Sequence, residues 1–248
     1  MTENPDSSVV KPYSETGSKK EQVTKMFDSI APRYDLLNRV LSLGIDIIWR
    51  RIAIKKLRDL EPQSVLDVAT GTGDVILEIE RQLSPARMVG LDISAGMLEL
   101  GTKKIRAKEF GQKVEMIVGD SEDLPFKDNT FDAITVAFGV RNFENLNKGL
   151  TEMYRVLKPG GKLMVLEFSH PKKAPVKQIY WAYFNHILPF FGKMVSKDSS
   201  AYTYLPESVK QFPDGELFIE ELKTAGYQNM ERRSLTFGIA SIYLGSKN

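Results

Sequence analysis

Cysteine is absent from the chain. Disulfides, thiolate nucleophiles and cysteine-ligated zinc or iron–sulfur centres are thereby excluded. Histidine is nearly absent as well. With only His170 and His186, a histidine-rich metal site is not expected, and no residue is assigned to a metal. Charge of one sign does not dominate: a net charge of +2 points neither to nucleic acid nor to an acidic partner. No stretch reaches the roughly 20 apolar residues of a membrane-spanning helix. The N-terminal MTENPDSSVVKPYSETGSKK lacks the apolar centre of a secretory signal, so a cytoplasmic location is expected. Its mixture of acids, bases, Pro, Ser and Gly reads as a flexible tail over residues 1–20. No internal repeat is found.

What remains is a chain of 248 residues, 42% hydrophobic and 27% charged, enough to bury one good core. The apolar spacing predicts a helix over 21–31, ended by Pro32, and a second over 45–60, ended by Pro62. A regular alternation follows. SVLDVA (64–69), RMVGLD (87–92), VEMIVG (114–119), FDAITVAF (131–138) and KLMVLEF (162–168) read as strands. Residues 73–83, 94–107 with Ser94 as N-cap, and 145–157 read as helices, the last stopped by Lys158-Pro159-Gly160-Gly161. Residues 171–205 break the rhythm. A helix over 214–227 and strands over 228–234 and 239–246 then close the chain as an added edge pair. The expected fold class is α/β, a Rossmann-like doubly wound sheet of seven mostly parallel strands, with N-terminal helices and a helical cap insertion at 171–205 within a domain over 21–248.

In such sheets ligands sit outside the carboxyl ends of the strands. Three places qualify: the turn Ala69-Thr70-Gly71-Thr72-Gly73, Asp92 after the second strand, and Gly119-Asp120-Ser121 after the third. Glycines at 71 and 73 let backbone approach a ligand, and a carboxylate at 92 can accept from both ribose hydroxyls. A glycine pair alone is equally read as a tight turn that binds nothing. The ordered set Asp67, Gly71, Gly73, Asp92 and Asp120, all at strand ends, favours a nucleotide. A dinucleotide fingerprint needs a third glycine where this chain has Ile76, which argues against a nicotinamide-dependent oxidoreductase. Asp67 and Asp74 beside the turn are unsuited to a pyrophosphate but tolerable near an ammonium and a sulfonium. The ligand these residues fit is S-adenosylmethionine.

The motifs VLDVATGTGD, GLDIS, GDSEDLPFKDNTFD and MYRVLKPGGKLMVLEFS resemble those of class I S-adenosylmethionine-dependent methyltransferases. YDLLNRVLSLGIDIIW (34–49), AFGVRNF (137–143) and YLPESVKQFP (204–213) further resemble the menaquinone/ubiquinone C-methyltransferases, over about residues 21–248. The resemblance implies methylation of a ring carbon of a polyprenyl quinol: demethylmenaquinol to menaquinol, or alternatively the ubiquinone-pathway 2-polyprenyl-6-methoxy-1,4-benzoquinol. A non-catalytic scaffold in a quinone-synthesis assembly is the rival from another class. Cofactor contacts carry over onto Thr72, Asp92 and the Asp120-Ser121 pair. Two positions depart from the family pattern. Asp46 stands where a histidine is common, and Ala137 where a serine often is, leaving a backbone contact at 137.

Such a reaction is an in-line displacement on an activated sulfonium. It is helped by ionising a ring hydroxyl of pKa about 10 and by holding the reactants in line. Arg141 and Asn142, after the fourth strand, are placed to meet the acceptor, Arg141 as a partner for the phenolate. Tyr34 is a candidate to relay a proton, and Asp35 to act as base. His170, of a type that titrates near neutral pH, lies past the fifth strand. The competing readings are an Arg141–Glu144 surface pair, a helix-start role for Tyr34-Asp35, a plain loop role for His170 and a structural role for Glu167. Six aromatics from Tyr180 to Phe191, flanked by lysines, read either as a core helix or as a surface for a prenyl tail and anionic lipid. The second reading implies transient contact with the inner face of a membrane. Self-association is left open, and no nucleic-acid partner is expected.

Overall fold

The run Val65-Leu66-Asp67-Val68 alternates its side chains between two buried layers, as a central strand must. Leu66 and Val68 pack with Leu150, Met153, Phe218 and Leu222 on one face, while Val65 packs with Ala53, Ile54, Ile76 and Ile79 on the other. This strand lies inside a seven-stranded sheet in a computed structural model that describes residues 10–13, 16–183 and 200–248. The strands are β1 (Ser64–Val68), β2 (Arg87–Asp92), β3 (Val114–Val118), β4 (Phe131–Ala137), β5 (Leu157–Phe168), β6 (Gln228–Leu235) and β7 (Ala240–Ser246). Their order is β3-β2-β1-β4-β5-β7-β6. The first five are parallel, and β7 runs antiparallel to both β5 and β6. This is the expected α/β architecture with its edge pair.

The described helices are α1 (Lys19–Ile30), α2 (Tyr34–Ser42), α3 (Ile45–Lys55), α4 (Asp74–Gln82), α5 (Ala95–Arg106), α6 (Leu146–Val156), α7 (Val176–Ala182), α8 (Ser200–Gln211) and α9 (Glu216–Thr224). α6 and α9 cover one face of the sheet; α3, α4 and α5 cover the other. A third apolar cluster joins α1, α2, α7 and α8 through Val23, Met26, Leu37, Tyr180, Tyr204 and Val209.

Several boundaries differ from the sequence expectation. The tail limit at residue 20 is too late, because Ser18 and Glu21 form a capping box that starts α1 at Lys19. Residues 1–9, 14 and 15 lie outside the described residues. The helix expected over 45–60 ends at Lys55, where the N–H groups of Lys56 and Leu57 donate to carbonyls three residues back and tighten the last turn. β5 begins at Leu157 rather than Lys162. The Pro-Gly-Gly run stays in the sheet because Gly160 N–H donates to Lys247 O and Lys247 N–H donates to Gly161 O. Two helices were not expected. α2 is closed by Leu43 and Gly44, both at positive φ, and α8 carries Pro206 inside it, which hides its period. Of the aromatic run, Phe184, Phe190, Phe191 and the neighbouring His186 lie outside the described residues.

Candidate active site

Register places the strand ends at one level: Val68 pairs with Leu91 and Val136, and Leu91 with Ile117. The residues one step beyond therefore share one rim. At that rim the backbone of Ala69 (φ 53°), Gly71 (φ 57°) and Phe138 (φ 59°) turns left-handed. For the two non-glycine residues this costs energy that the surroundings must offset, as occurs at functional sites. A Cβ at Gly71 would meet nothing within 4 Å, so the backbone there faces open space. The turn itself rests on α5. A Cβ at Gly101 would stand 3.0 Å from the Thr72 carbonyl carbon and 3.1 Å from Gly71 O, so only glycine lets that helix lie so close.

Two cavities open at this rim. The smaller, about 80 Å³, is lined by Gly71, Asp92, Asp120, Ser121, Ala137 and Asn142, among others. Asp92 is its main carboxylate. Oδ2 accepts from Gly71 N–H (2.7 Å) and Oδ1 from Ser94 N–H (2.9 Å). Burial pushes its pKa up to about 6, against the pull of these backbone donors. Lys20 of α1 closes the mouth, bonding Asp120 (2.5 Å) and Glu122 (3.4 Å). Lys19 beside it donates to the carbonyls of Arg141 and Phe143 (3.0 and 2.9 Å), and burial lowers its pKa to about 8. Asn142 Oδ1 is buried with no hydrogen-bond partner among the described residues.

The larger cavity, about 450 Å³, lies between the rim and the third apolar cluster. That volume is within the usual ~300–1,000 Å³ of small-molecule sites. Its walls include Leu37, Trp49, Phe168, Ile179, Tyr180 and Tyr204. Phe27, Tyr34 and Phe138 line both cavities and form the wall between them. Desolvation raises the pKa of Tyr34, although Asn38, Arg141 and Arg50 pull it down. Arg141 also faces the larger cavity. Its Nη1 donates to Glu167 Oε1 at 2.9 Å and to Phe138 O, and its guanidinium lies 5.5 Å from the Phe168 ring centroid. Glu167 is fully buried. Burial pushes its carboxyl up, and the Arg141 charge offsets part of that. The partner of Arg141 is thus Glu167 and not Glu144, which accepts from Lys19 N–H.

Four residues expected at the site lie on neither cavity wall. Asp67 is fully buried under the turn, where its two oxygens accept from Thr70 and Thr135 hydroxyls (both 2.6 Å). Burial raises its pKa to about 7. Thr72 donates to Asp35 (2.5 Å), and Lys104 bonds Asp35 (2.6 Å) and Asp74 (2.8 Å). Asp35 is therefore held in an ion-pair network behind the turn, and the structure does not bring it to the larger cavity. Gly73 serves α4, with positive φ at its N-cap. His170 is likewise off both walls, bonding Asp214 (2.8 Å). Asp46 lines the larger cavity, tied to Ser42 (2.6 Å) and Arg50 (2.5 Å). Sequence reasoning missed Lys20, Phe138, Tyr204 and Gly101. Phe138 and Tyr204 fall inside the motifs AFGVRNF and YLPESVKQFP, while no local signal marks Lys20 or Gly101.

The sequence profile of the ubiE/COQ5 methyltransferase family matches residues 15–247. A demethylmenaquinone methyltransferase of Bacteroides fragilis is 49% identical over 238 residues, covering 96% of this chain and 97% of its own. The ubiquinone/menaquinone biosynthesis C-methyltransferase UbiE of Geotalea daltonii is 49% identical over 230 residues, covering 92% and 97%. Among solved structures, the [4+2]-cyclase SpnF superposes with a TM-score of 0.69 at 16% identity, over 94% of this chain and 97% of that one. A SAM-dependent methyltransferase from Thermotoga maritima gives 0.64 at 18% identity, over 91% and 99%. These structural likenesses bear on the fold alone, and one of the two is called a cyclase; the chemistry has to be read from the site.

Proposed function

Because the chain belongs to the ubiE/COQ5 methyltransferase family, we propose that it methylates a ring carbon of demethylmenaquinol, with cofactor in the smaller cavity and acceptor in the larger. It is an S-adenosylmethionine-dependent methyltransferase acting on a quinol ring. The observation that carries the assignment of sites is the shared wall of Phe27, Tyr34 and Phe138. It separates an acidic cleft from an apolar one by single side chains.

The cleft's residues suit the cofactor. Asp92, Asp120, Glu122 and the unpartnered Asn142 Oδ1 are acceptors suited to a cationic ligand rich in hydroxyl donors. The open backbone at Gly71 leaves space against the turn. Bound there, S-adenosylmethionine supplies a methyl group already activated by its sulfonium. In this reading Asp92 accepts from the ribose hydroxyls, and Gly71, Asp120, Ser121 and Ala137 line the remainder. Asp67, Thr72 and Gly73 hold the turn from behind. At about 80 Å³ the cleft is below the usual size, and Lys20 of α1 is held across it by Asp120. Lys20→Ala, which removes the pin to Asp120, should speed cofactor association several-fold in stopped-flow fluorescence. An unchanged rate would mean that the cleft opens elsewhere.

On the acceptor side, Arg141 stabilises the oxygen on which negative charge develops. The hydroxyl of Tyr34 orients the ring at the wall between the cavities, whereas Asn142, expected beside the acceptor, lines only the smaller cavity. Asp35, occupied by Lys104 and Thr72, has no part in proton removal. The name of the Geotalea relative covers ubiquinone as well as menaquinone, so a benzoquinol precursor is the second acceptor to test. The deciding assay uses purified protein, labelled cofactor and short-chain acceptors of both kinds. Label should enter demethylmenaquinol faster; transfer to neither ring would overturn the reading.

The tail of such a substrate resides in a bilayer, and the cavity's rim fits a lipid surface. Leu43 and Ile179 line the cavity yet are 86% and 65% exposed, and Phe237 nearby is 83% exposed. Lys172, Lys173 and Lys177, all exposed, stand on the same segment as Ile179. No described helix is long and apolar enough to cross a membrane; in this reading the contact is peripheral, and residues 171–183 and 200–205, the described parts of the expected cap, flank the substrate. Each lysine near an anionic surface contributes about 1 kcal/mol. Changing all three to glutamine should weaken binding to phosphatidylserine vesicles by about tenfold or more in a flotation assay. Equal flotation would remove the basic patch from the account.

A further inference from the structure

Polar side chains around the larger cavity are almost all engaged. Thr236 Oγ1 accepts from Trp49 Nε1 (2.8 Å), Ser42 donates to Asp46 (2.6 Å), Asp46 pairs with Arg50 (2.5 Å), and Tyr183 donates to Leu41 O (2.6 Å). Two of the exceptions bear on the ring. Tyr204 Oη and Arg141 Nε are buried, and neither has a hydrogen-bond partner among the described residues. Tyr204 is 4% exposed and lies on the cavity wall with Arg141. Native proteins rarely leave a buried hydroxyl without a partner, and both residues belong to the wall of that cavity.

Resting on the quinol reading above, we propose that the Tyr204 hydroxyl donates a hydrogen bond to the second ring oxygen of the quinol, the one that gains no charge, while Arg141 meets the first. A 1,4-quinol carries two oxygens on opposite sides of the ring, but only the oxygen adjacent to the reacting carbon shares charge with it. Two separate donors in one apolar cavity match two separate oxygens. Tyr204 stays a phenol in this role. Burial raises its pKa to about 12, although the Arg141 charge pulls it down, so it donates and does not act as a base. It lies on α8, at the end of the cap segment, so the hydrogen bond also ties that helix to the ring. Tyr204 is a positioning residue whose contribution is to acceptor affinity.

The test pairs a conservative variant with a substrate that lacks the target oxygen. KM and kcat are measured for wild type and Tyr204→Phe on short-chain demethylmenaquinol under reducing conditions. Affinities for that quinol and for the matching prenylated 1-naphthol are measured with S-adenosylhomocysteine present. The variant should lose about three- to tenfold in KM and affinity for the quinol, as for one neutral hydrogen bond, with kcat nearly unchanged. It should bind the naphthol as wild type does. Equal losses on both ligands would mean a merely structural role and would overturn the proposal, as would no loss on either. If wild type fails to methylate the quinol at all, the acceptor assignment fails first. If wild type is active and the variant matches it, only the role of Tyr204 falls.

Discussion

Arg141→Ala lowers kcat by about 10²–10³, the usual loss for removing one donor to a developing oxyanion, and also destabilises the fold. The second effect comes from Glu167. Its carboxyl is fully buried and its ion pair is with Arg141. Breaking a buried pair from one side leaves an uncompensated charge and costs about 3–5 kcal/mol. A falling rate would therefore be ambiguous by itself. The double variant Arg141→Met with Glu167→Gln separates the two causes. Glutamine keeps an acceptor for Phe168 N–H, now held by Glu167 Oε1 at 2.9 Å, and no charge is left buried. Its melting temperature should return most of the way to wild type while turnover stays low and cofactor affinity is unaltered. Recovery of turnover together with stability would show that Arg141 acts through the fold and not on the ring.

Asp92→Asn should weaken S-adenosylmethionine binding by about 10²-fold or more. A carboxylate that accepts from two hydroxyls makes charge-assisted bonds of about 1.5–3 kcal/mol each, and every 1.4 kcal/mol is tenfold. The pH dependence gives a sharper signature. In the free protein the Asp92 pKa is raised to about 6, chiefly by burial. The ionised form is the acceptor that binds, so below pH 6 each unit should raise the apparent Kd of wild type about tenfold. The amide variant should show no such slope. Stability runs the other way. The folded pKa lies above the unfolded value of about 3.9, so the protonated group favours the fold. That contribution is full below pH 4 and is lost as pH rises through 6. Calorimetric titrations at several pH values would decide the matter, and a flat wild-type profile would exclude Asp92 as the ionising contact.

The cleft was legible in part because strand ends can be read locally. Once the apolar runs at 65–68, 87–92 and 131–137 are recognised as parallel strands, the residues after them must share a rim. Asp92, Asp120 and Ser121 follow from that rule and Ala137 from the family resemblance, and all four line the cleft. Asp67 enters as a strand-end carboxylate, Thr72 through the family resemblance, and Asp35 through the N-terminal segment beside Tyr34. Their side chains instead face partners that no local pattern reveals, such as Lys104 for Asp35 and Thr135 for Asp67.

The amino-acid sequence by itself determined the doubly wound sheet, the rim where ligands bind and the kind of ligand suited to it. Those properties follow from periodicity and from the residue types at strand ends. Only the tertiary structure decided which acidic groups face the cleft and which lie behind it. It alone paired Lys20 with Asp120, 100 positions away, paired Arg141 with the buried Glu167, and set Tyr204 on the wall of the larger cavity. The physical reason is that a side chain's direction and charge state depend on what is packed around it. Here those neighbours come from elements far apart along the chain.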